Sequence, residues 1–405
     1  MKHRSAIPPA AKLKTAILPA PRDDGSETAQ VATAKPVILS EASRLSLSRR
    51  ILARRVAQSK DPFSLSALTA VFSSASSAPP PAAHSHLRKL LVSALAFCLL
   101  GCKSETPAPA NAAQPPFMSA VAGSAPQDQA PAPETTDGFD GAKAYAQVVK
   151  QLSFGPRPAG SPELAKLQDY LESELKSYGC AVETDSFSAD TPAGRLPMKN
   201  ILVKIPGAKP GIILVGTHYD TKRLPDFVGA DDGGSSTAVM LEAARQLCKA
   251  PGKYAVWIAF FDAEEAVNKE WKDPDNRYGS RQMAAKLAAS DDLPKVKAFL
   301  LVDLVGGKNI IFARNAESTK WLVDLVWKTA GNLGYGSIFV KEQLGASDDH
   351  LSFTARNVPS VDIIDLNHTA VYWHTPQDTI DKISPKSLAI VGHVVLESVK
   401  QLQQK

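Results

Sequence analysis

Acidic and imidazole side chains follow several short apolar runs of this chain, and these are the residue types that bind a catalytic metal ion. The apolar run 254–261 is followed by Glu264 and Glu265, and His218 and Asp220 end another run upstream. An isolated Glu-Glu pair more often marks a solvated helix start. The same arrangement recurs in other segments, and this repetition favours a hydrolase-like zinc site.

Further possible ligands lie in the turn 229–234, at Asp303 and at His374. The turn contains Asp231 and Asp232, and either aspartate could instead cap the helix that follows. Zinc in catalytic sites takes His nitrogen and carboxylate oxygen and keeps one position open for substrate or water. The residues therefore predict a zinc site drawn from His218, Asp232, Glu265, Asp303 and His374.

Alternating strand and helix patterns predict the scaffold that positions these side chains. Strand-like apolar runs occur at 200–205, 212–217, 255–261, 299–304, 338–340 and 360–364, and helical spacing occurs at 141–153, 163–178, 234–248, 279–289, 318–332 and 384–402. This alternation is typical of an α/β three-layer sandwich whose central mixed, mostly parallel sheet is flanked by helices. Ligand sites of such sheets lie at the carboxyl ends of the strands, where His218, Glu264 and Asp303 are expected to meet.

The charge of the chain is unevenly distributed. The formal net charge is +5 over 405 residues, but residues 1–102 hold 14 Lys and Arg against 5 Asp and Glu. Residues 103–405 hold 32 Lys and Arg against 36 Asp and Glu. The catalytic region has no basic stripe interleaved with aromatic residues, so nucleic-acid binding is not expected.

The segment 86–102 has the features of a secretion signal. Arg88 and Lys89 precede an 11-residue apolar run at 90–100, and Leu99-Leu-Gly-Cys102 resembles a bacterial lipoprotein cleavage site. The run is too short to span a bilayer comfortably. We expect an exported lipoprotein, periplasmic or on the cell surface, that is anchored to a bacterial membrane through lipidated Cys102.

Four segments are predicted from these patterns. Residues 1–85 form a disordered extension, or they precede the true translation start. Residues 86–102 form the signal peptide. Residues 103–137 form a Pro- and Ala-rich linker, and 138–405 a single zinc-dependent catalytic domain. Beyond Cys102 the chain has only Cys180 and Cys248 and no Cys-x-x-Cys, which argues against a thiolate zinc site. A disulfide between these two is possible in an oxidising compartment, but the sequence does not decide their pairing.

Seven short motifs together resemble a known family. They are His218-Tyr-Asp-Thr-Lys222, Phe227-Val-Gly-Ala-Asp-Asp232, Phe260-Phe-Asp-Ala-Glu-Glu-Ala266, Tyr278-Gly-Ser-Arg281, Asp303-Leu-Val-Gly306, Asp348-Asp-His350 and Trp373-His-Thr375. In this order, from about residue 139 to the C terminus, the chain resembles glutaminyl-peptide cyclotransferases of the animal type, which belong to the zinc-aminopeptidase superfamily. The animal enzymes carry a cysteine pair near the first motif, which this chain lacks.

The resemblance implies an activity and a set of site residues. The activity is conversion of the N-terminal glutamine of peptides or proteins to pyroglutamate with release of ammonia, by a monomer. One zinc ion would be held by Asp232, Glu265 and His374, and Glu264 would be the acid/base. The remaining implied roles are hydrogen bonding to the acid/base by Asp303 and Asp348, and substrate binding by Trp271, Trp373 and Lys222.

Two alternatives remain open at the level of sequence. A two-zinc aminopeptidase would use His218 and Asp303 for the second metal, with Asp232 bridging both ions and Glu264 activating a bound water. The five ligand positions fit either one metal or two, whereas Lys222, Trp271, the Asp348-Asp-His350 triplet and Trp373 favour the cyclase. The other alternative is a binding module whose site has lost its activity, although no predicted ligand is missing.

Overall fold

A six-stranded sheet forms the centre of the part of the chain that the computed structural model describes, residues 128–405. The predicted N-terminal extension, the signal peptide with Cys102 and the linker up to residue 127 lie outside the described residues. The strand order of the sheet is β1-β2-β4-β3-β5-β8. The strands are β1 (Val182–Thr191), β2 (Gly194–Ile205), β3 (Gly207–His218), β4 (Gly252–Phe261), β5 (Val296–Asp303), β6 (Phe312–Asn315), β7 (Phe339–Leu344) and β8 (Ser360–Ile364).

The sheet is mixed and mostly parallel, which confirms the predicted fold class. Strand β3 pairs in parallel with β4 and with β5, and β5 pairs in parallel with β8. Strands β1 and β2 form an antiparallel hairpin, and β2 lies antiparallel to β4. The four parallel strands therefore direct their carboxyl ends to one edge of the sheet.

Helices cover both faces of the sheet. Successive side chains of a strand point to opposite faces, so a central strand packs against helices on both sides. The helices are α1 (Gly141–Leu152), α2 (Pro162–Ser177), α3 (Gly234–Leu247), α4 (Tyr278–Ala289), α5 (Lys320–Asn332), α6 (Leu351–Thr354), α7 (Leu366–Thr369) and α8 (Pro385–Gln404). In β3, Ile213 and Val215 belong to the larger core cluster, which includes side chains of α1, α2, α3, α5 and α8. Ile212 and Leu214 belong to a second cluster with side chains of α4 and α6. Within residues 128–405, none of them combines the length and apolar character needed to cross a bilayer.

Helix α2 begins where the sequence predicts it. The Ser161 hydroxyl accepts a hydrogen bond from the backbone N–H of Leu164 at 3.1 Å, and Pro162 occupies the first helical position. Such a cap satisfies one of the N–H groups that the first turn leaves without a partner. Asp140 and Ser384 cap α1 and α8 in the same way.

Two features of the fold have no apolar run that could have predicted them. Strand β1 is the edge strand of the sheet, and its sequence, Val-Glu-Thr-Asp-Ser-Phe-Ser-Ala-Asp-Thr, is polar because much of it faces solvent. Strand β6 has only four residues and pairs with β7 in a separate two-stranded sheet. The predicted strand at 338–340 corresponds to the start of β7.

A disulfide bond joins Cys180 and Cys248, which resolves the pairing that the sequence left open. Cys180 lies just beyond the end of α2, and Cys248 directly follows α3. The sulfur atoms are 2.03 Å apart across a sequence separation of 68 residues. The bond therefore fastens together the C-terminal ends of two helices on the same face of the sheet.

Candidate active site

The polar residues that follow β3, β4 and β5 meet at the carboxyl edge of the sheet. His218 is the last residue of β3 and Asp303 the last of β5, whereas Glu264 follows β4 after a short turn. The Nε2 atom of His218 lies 3.0 Å from Oδ1 of Asp303, and its Nδ1 atom lies 3.8 Å from Oε2 of Glu264. The structure thus brings together three side chains that are far apart in sequence.

Left-handed backbone occurs at three non-glycine residues in or beside this cluster. Ala263 has φ = 55°, Leu304 has φ = 49° and His374 has φ = 52°. This conformation is unfavourable for a residue with a Cβ atom, so surrounding contacts must hold it in place. The sharp turns that result direct Glu264, Asp303 and His374 back toward the strand ends.

The carboxylate of Asp220 contacts both the backbone and the imidazole of this cluster. Its Oδ1 atom accepts a hydrogen bond from the backbone N–H of Glu264 at 3.0 Å, and its Oδ2 atom accepts one from the N–H of Glu265 at 3.3 Å. Its Oδ1 atom also lies 3.5 Å from Nδ1 of His218. Asp220 therefore contacts the imidazole of His218 and also holds the backbone of the acidic pair.

The two aspartates of the turn before α3 have different surroundings. Asp231 accepts a hydrogen bond from the Tyr372 hydroxyl at 2.7 Å and faces away from the histidines. The Oδ1 atom of Asp232 lies 3.3 Å from Nε2 of His218, and its Oδ2 atom lies 3.3 Å from Nε2 of His374. Asp232 is therefore the aspartate that can share a metal ion with a histidine.

Two overlapping groups of side chains could hold a metal ion among the described residues. One consists of Asp232, Glu265 and His374, and the other of His218, Asp232 and Asp303. Within each group the potential ligand atoms lie within 4.8 Å of one another. In the first group, Nε2 of His374 lies 3.0 Å from Oε1 of Glu265. Because zinc binds such atoms at about 2.0–2.2 Å, either group is compact enough to surround one ion.

The chemistry of the first group fits a zinc ion. Asp232 Oδ2 and Glu265 Oε2 are buried carboxylate oxygens that have ion-pair contacts, at 3.3 Å to His374 and 3.5 Å to Lys222, but no well-formed hydrogen bond within the described residues. Burial and the nearby Asp232 carboxylate raise the pKa of Glu265 to about 7. Although burial opposes it, contact with both carboxylates raises the pKa of His374 to about 10. Both shifts indicate excess negative charge in a dry site, which a bound cation would neutralise.

The acidic residues beside this group favour a protonated carboxyl. Burial, followed by the carboxylates of Asp348 and Glu265, holds the pKa of Glu264 well above its ordinary value. Burial also raises the pKa of Asp303. Burial and Asp362 hold the pKa of Asp348 well above its usual range. Glu264 is therefore placed among groups that let it carry a proton near neutral pH.

A cavity of about 280 Å³ opens directly above these residues. The indole ring of Trp373 stacks on the imidazole of His374 with 4.1 Å between ring centroids, and it remains 38% exposed. The cavity is lined by Asp232, Glu264, Glu265, Trp271, Asp303, Leu304, Gly345, Ala346, Ser347, Asp348, Ile364, Leu366, Trp373 and His374. The structure thus gathers four of the five predicted ligands, the acidic residues and both predicted tryptophans around one small space, whereas His218 is buried and does not line it.

Lys222 occupies a different position from the other predicted substrate-binding residues. Its side chain is buried, and its Nζ atom lies 3.5 Å from Oε2 of Glu265, behind the potential metal ligand. The described residues that line the cavity do not include it. A direct contact of Lys222 with substrate therefore stays a prediction.

Comparison with known proteins identifies the family. The chain is 31% identical over 271 residues to a glutaminyl-peptide cyclotransferase-like protein of Mus musculus, an alignment that covers 59% of this chain and 70% of the relative. It is 38% identical to the glutaminyl cyclase of an Acidobacteriales bacterium, whose crystal structure superposes with a TM-score of 0.62 and covers 70% of this chain and 99% of that chain. The chain belongs to the glutaminyl-peptide cyclotransferase family. The resemblance read from the seven motifs is confirmed.

The same fold also occurs in relatives with a different name. Residues 200–399 match Peptidase family M28. A Zn-dependent exopeptidase from Parabacteroides distasonis is 31% identical, with a TM-score of 0.58, and covers 64% of this chain and 97% of that chain. These neighbours confirm the fold class. Because the fold is shared, the chemistry of the site must distinguish a cyclase from a peptidase.

The sequence patterns did not indicate the apolar walls of the cavity. These walls come from three segments, which contribute Leu304, Ala346, and the pair Ile364 and Leu366. Leu304 directly follows Asp303, and Ile364 ends β8, so proximity to a strand end was the only available signal. Asp378, which contacts the turn that carries Asp232, was also missed, although it lies close to His374 in sequence.

Proposed function

We propose that this chain is a glutaminyl cyclase, which converts the N-terminal glutamine of peptides or proteins to pyroglutamate and releases ammonia. The observation that carries the proposal is the small cavity in which a buried, proton-carrying Glu264 lies beside the group Asp232, Glu265 and His374. Membership of the glutaminyl-peptide cyclotransferase family supports it.

In this proposal, Asp232, Glu265 and His374 hold one zinc ion through two carboxylate oxygens and one imidazole nitrogen. When bound, zinc supplies a Lewis acid that polarises the γ-amide carbonyl of the substrate. The chain itself provides the proton transfer, the walls of the cavity and the exclusion of water.

Glu264 moves the proton that the reaction transfers. The α-nitrogen of the substrate forms a bond to the γ-carbonyl carbon, and the bond from that carbon to the amide nitrogen breaks. The proton lost by the α-amine passes through the carboxyl of Glu264 to the departing nitrogen, which leaves as ammonia. Burial, together with the carboxylates of Asp348 and Glu265 and against the charge of His218, holds the pKa of this carboxyl well above its ordinary value, which suits it to hold and release a proton.

The cavity holds the substrate in a reactive geometry. The amine is tethered to its target by the glutamine side chain, so the walls need only fold the substrate toward ring closure. Trp271 and Trp373 supply flat apolar walls on the open side, and Leu304 and Ile364 line the interior. No water nucleophile is needed, and a small apolar enclosure disfavours competing hydrolysis.

A two-metal aminopeptidase is the second candidate, because one specific observation favours it. His218, Asp232 and Asp303 form a further group that could hold a metal ion, and Asp232 belongs to both groups. In this candidate Asp232 would contribute to both metal sites, and Glu264 would act as the general base toward the attacking water. An exopeptidase with the same fold supports keeping this candidate.

One assay separates the candidates. Purified, zinc-loaded full-length protein is given a Gln-initiated dipeptide amide, and ammonia and pyroglutamyl product are measured beside the cleavage of a leucine chromogenic substrate. Ammonia and pyroglutamyl product without leucine release establish the cyclase. Leucine release without cyclisation would reject it in favour of the peptidase, and bound metal with neither activity would indicate a binding module.

We also propose that the protein is an exported lipoprotein monomer whose anchor is Cys102. The Cys180–Cys248 disulfide supports export, because such bonds persist in oxidising compartments. Mass spectrometry of the N-terminal peptide of membrane-extracted protein would detect a lipid on Cys102. An unmodified N terminus upstream of Cys102 in the mature protein would reject the anchor.

A further inference from the structure

Asp378 contacts the turn that carries Asp232, although it does not belong to the wall of the cavity. Its Oδ1 atom accepts a hydrogen bond from the backbone N–H of Asp231 at 2.8 Å, and its Oδ2 atom accepts one from the N–H of Asp232 at 3.0 Å. Its backbone carbonyl accepts a third, from the N–H of Ala230 at 3.3 Å. One fully buried residue thus satisfies three successive amides of this turn.

The same chain segment carries His374. Tyr372, on the other side of this histidine, donates its hydroxyl hydrogen to Oδ2 of Asp231 at 2.7 Å. We call residues 372–378 the histidine segment and residues 229–233 the aspartate turn. Tyr372 and Asp378 therefore fasten the histidine segment to the aspartate turn on both sides of His374.

The histidine segment and the aspartate turn each contain a residue with a positive φ angle. His374 has φ = 52°, a left-handed value that is unfavourable for a residue with a Cβ atom. In the aspartate turn, Gly233 has φ = 80°, and an added Cβ would lie 2.7 Å from the carbonyl oxygen of Asp220. Metal ligands must be held to within a few tenths of an ångström, so such backbone needs firm external support.

A buried positive charge supports the arrangement. The guanidinium of Arg157 donates hydrogen bonds to the carbonyl oxygens of Val228 at 2.9 Å and Gly229 at 3.5 Å, at the start of the aspartate turn. Arg157 therefore holds the start of the aspartate turn, and Asp378 holds the amides that follow it.

We propose that Asp378 is a positioning residue that sets the spacing between Asp232 and His374 by joining the aspartate turn and the histidine segment. The Oδ2 atom of Asp232 and the Nε2 atom of His374 lie 3.3 Å apart, although the two residues come from distant parts of the chain. The inference rests on the metal centre of the proposed function and not on the cyclisation reaction.

The test is metal affinity in the variant Asp378→Asn. Asparagine keeps the shape of the side chain but replaces one acceptor oxygen with an NH₂ group that faces a backbone donor. Zinc binding to the metal-free full-length protein is measured by competition with a chromogenic chelator. We expect the dissociation constant to rise by about 10- to 100-fold, the usual effect of losing a residue that orients a metal ligand. The visible spectrum of the cobalt-substituted variant should also change, because its bands report ligand geometry.

Matched variants separate positioning from a general loss of stability. Val395→Ala creates a cavity in helix α8, where Val395 is fully buried, and should lower the melting temperature without changing zinc affinity or the cobalt spectrum. Asp140→Asn changes another carboxylate that accepts two backbone amides, those of Ala142 and Lys143, at the start of helix α1, which carries no assigned metal ligand. It too should leave zinc affinity unchanged.

The inference is overturned if Asp378→Asn binds zinc as tightly as the parent protein, or if Val395→Ala loses as much affinity. Should Asp378→Asn fail to fold, Tyr372→Phe decides the question, because it removes only the hydroxyl group from the other side of the histidine segment. A smaller loss of zinc affinity with an altered cobalt spectrum supports the inference, and unchanged values reject it. Because the readout is metal binding, a protein without cyclase activity would reject the proposed function and leave this inference standing.

Discussion

At the scale of single residues, the same carboxylate group serves different purposes according to its neighbours. Asp232 and Glu265 face imidazole nitrogens and form a potential metal site. Asp220 and Asp378 are also buried, but each accepts two successive backbone amides and holds a turn. Burial, and then the neighbouring acids Asp348 and Glu265, raise the pKa of Glu264 and suit it to proton transfer.

The role of Glu264 predicts a variant that binds metal but does not turn over. In Glu264→Gln the size and polarity of the side chain are kept, but the amide cannot accept and release a proton. We expect kcat to fall by about 10²- to 10⁴-fold while bound zinc is unchanged. Metal content by elemental analysis and ammonia release from a Gln-initiated peptide measure the two quantities.

The variant His374→Ala, unlike Glu264→Gln, should lose the bound metal. It removes one of the three expected zinc ligands, so both metal content and activity should be lost. Full turnover by Glu264→Gln would show that the proton takes another route, and retained zinc in His374→Ala would remove this histidine from the metal site.

His350 predicts a dependence of stability on pH. Its ring is buried, and neither nitrogen has a hydrogen-bond partner within residues 128–405. Burial, followed by the charge of Arg277, lowers the pKa of His350 to about 3 from its ordinary value of 6.5. Between these values the unfolded chain binds a proton at His350 that the folded chain does not, so the contribution of His350 to the free energy of unfolding should fall as the pH decreases through this window.

His350→Gln should reduce this dependence. Asp362, whose Oδ2 atom lies 3.9 Å from Nδ1 of His350, is a buried carboxyl whose own pKa is held well above the usual range. Its raised pKa contributes a slope of the opposite sign in both proteins, so the comparison with the variant isolates His350. Urea titrations of both proteins at several pH values measure the slopes, which should differ by up to about 1.4 kcal/mol per pH unit. Equal slopes would mean that His350 binds its proton equally well in the folded and unfolded chains.

At the scale of secondary-structure elements, packing between helices overrides local preference. Gly392 lies inside α8, where alanine would be the better helix former. A Cβ atom at this position would lie 2.1 Å from Cε2 of Phe139. The absence of a side chain therefore allows the segment before α1 to pack closely against α8.

Gly392→Ala should therefore destabilise the protein. Overpacking of a filled core costs about 1–3 kcal/mol, which exceeds the gain of about 1 kcal/mol in helix propensity. Gly331→Ala in α5 is the matched control, because a Cβ atom there meets none of the described atoms within 4 Å. The control should be neutral or slightly stabilising in thermal unfolding, and equal effects of the two variants would contradict the packing explanation.

At the scale of the whole molecule, the disulfide restricts the unfolded chain. Cys180 and Cys248 are 68 residues apart in sequence, and a loop of this length corresponds to about 4 kcal/mol of chain entropy. The double variant Cys180→Ser/Cys248→Ser should lose a stability of that order in urea unfolding. A reductant should destabilise the parent protein but not the double variant, and an insensitive parent would show that the bond contributes little.

Much of the scaffold follows from local patterns in the sequence. The apolar runs that became β3, β4, β5 and β8 are continuous because both faces of these strands are buried, and they place His218, Glu264 and Asp303 at strand ends. The start of α2 at Ser161 is equally local, since a cap and its partner lie within one turn. The polar edge strand β1 could not be predicted in this way, because a solvated strand has no apolar run.

The tertiary structure decided which distant residues meet. From the residues alone, Asp231 and Asp232 were equivalent, and the difference between them depends on Tyr372 and His374, which come from the far end of the chain. The pairing of Cys180 with Cys248 and the walls of the cavity depend in the same way on how helices and loops pack. Hydrophobic period, caps and turns are local properties that can be read along the chain, whereas contacts between remote segments depend on the relative placement of complete elements.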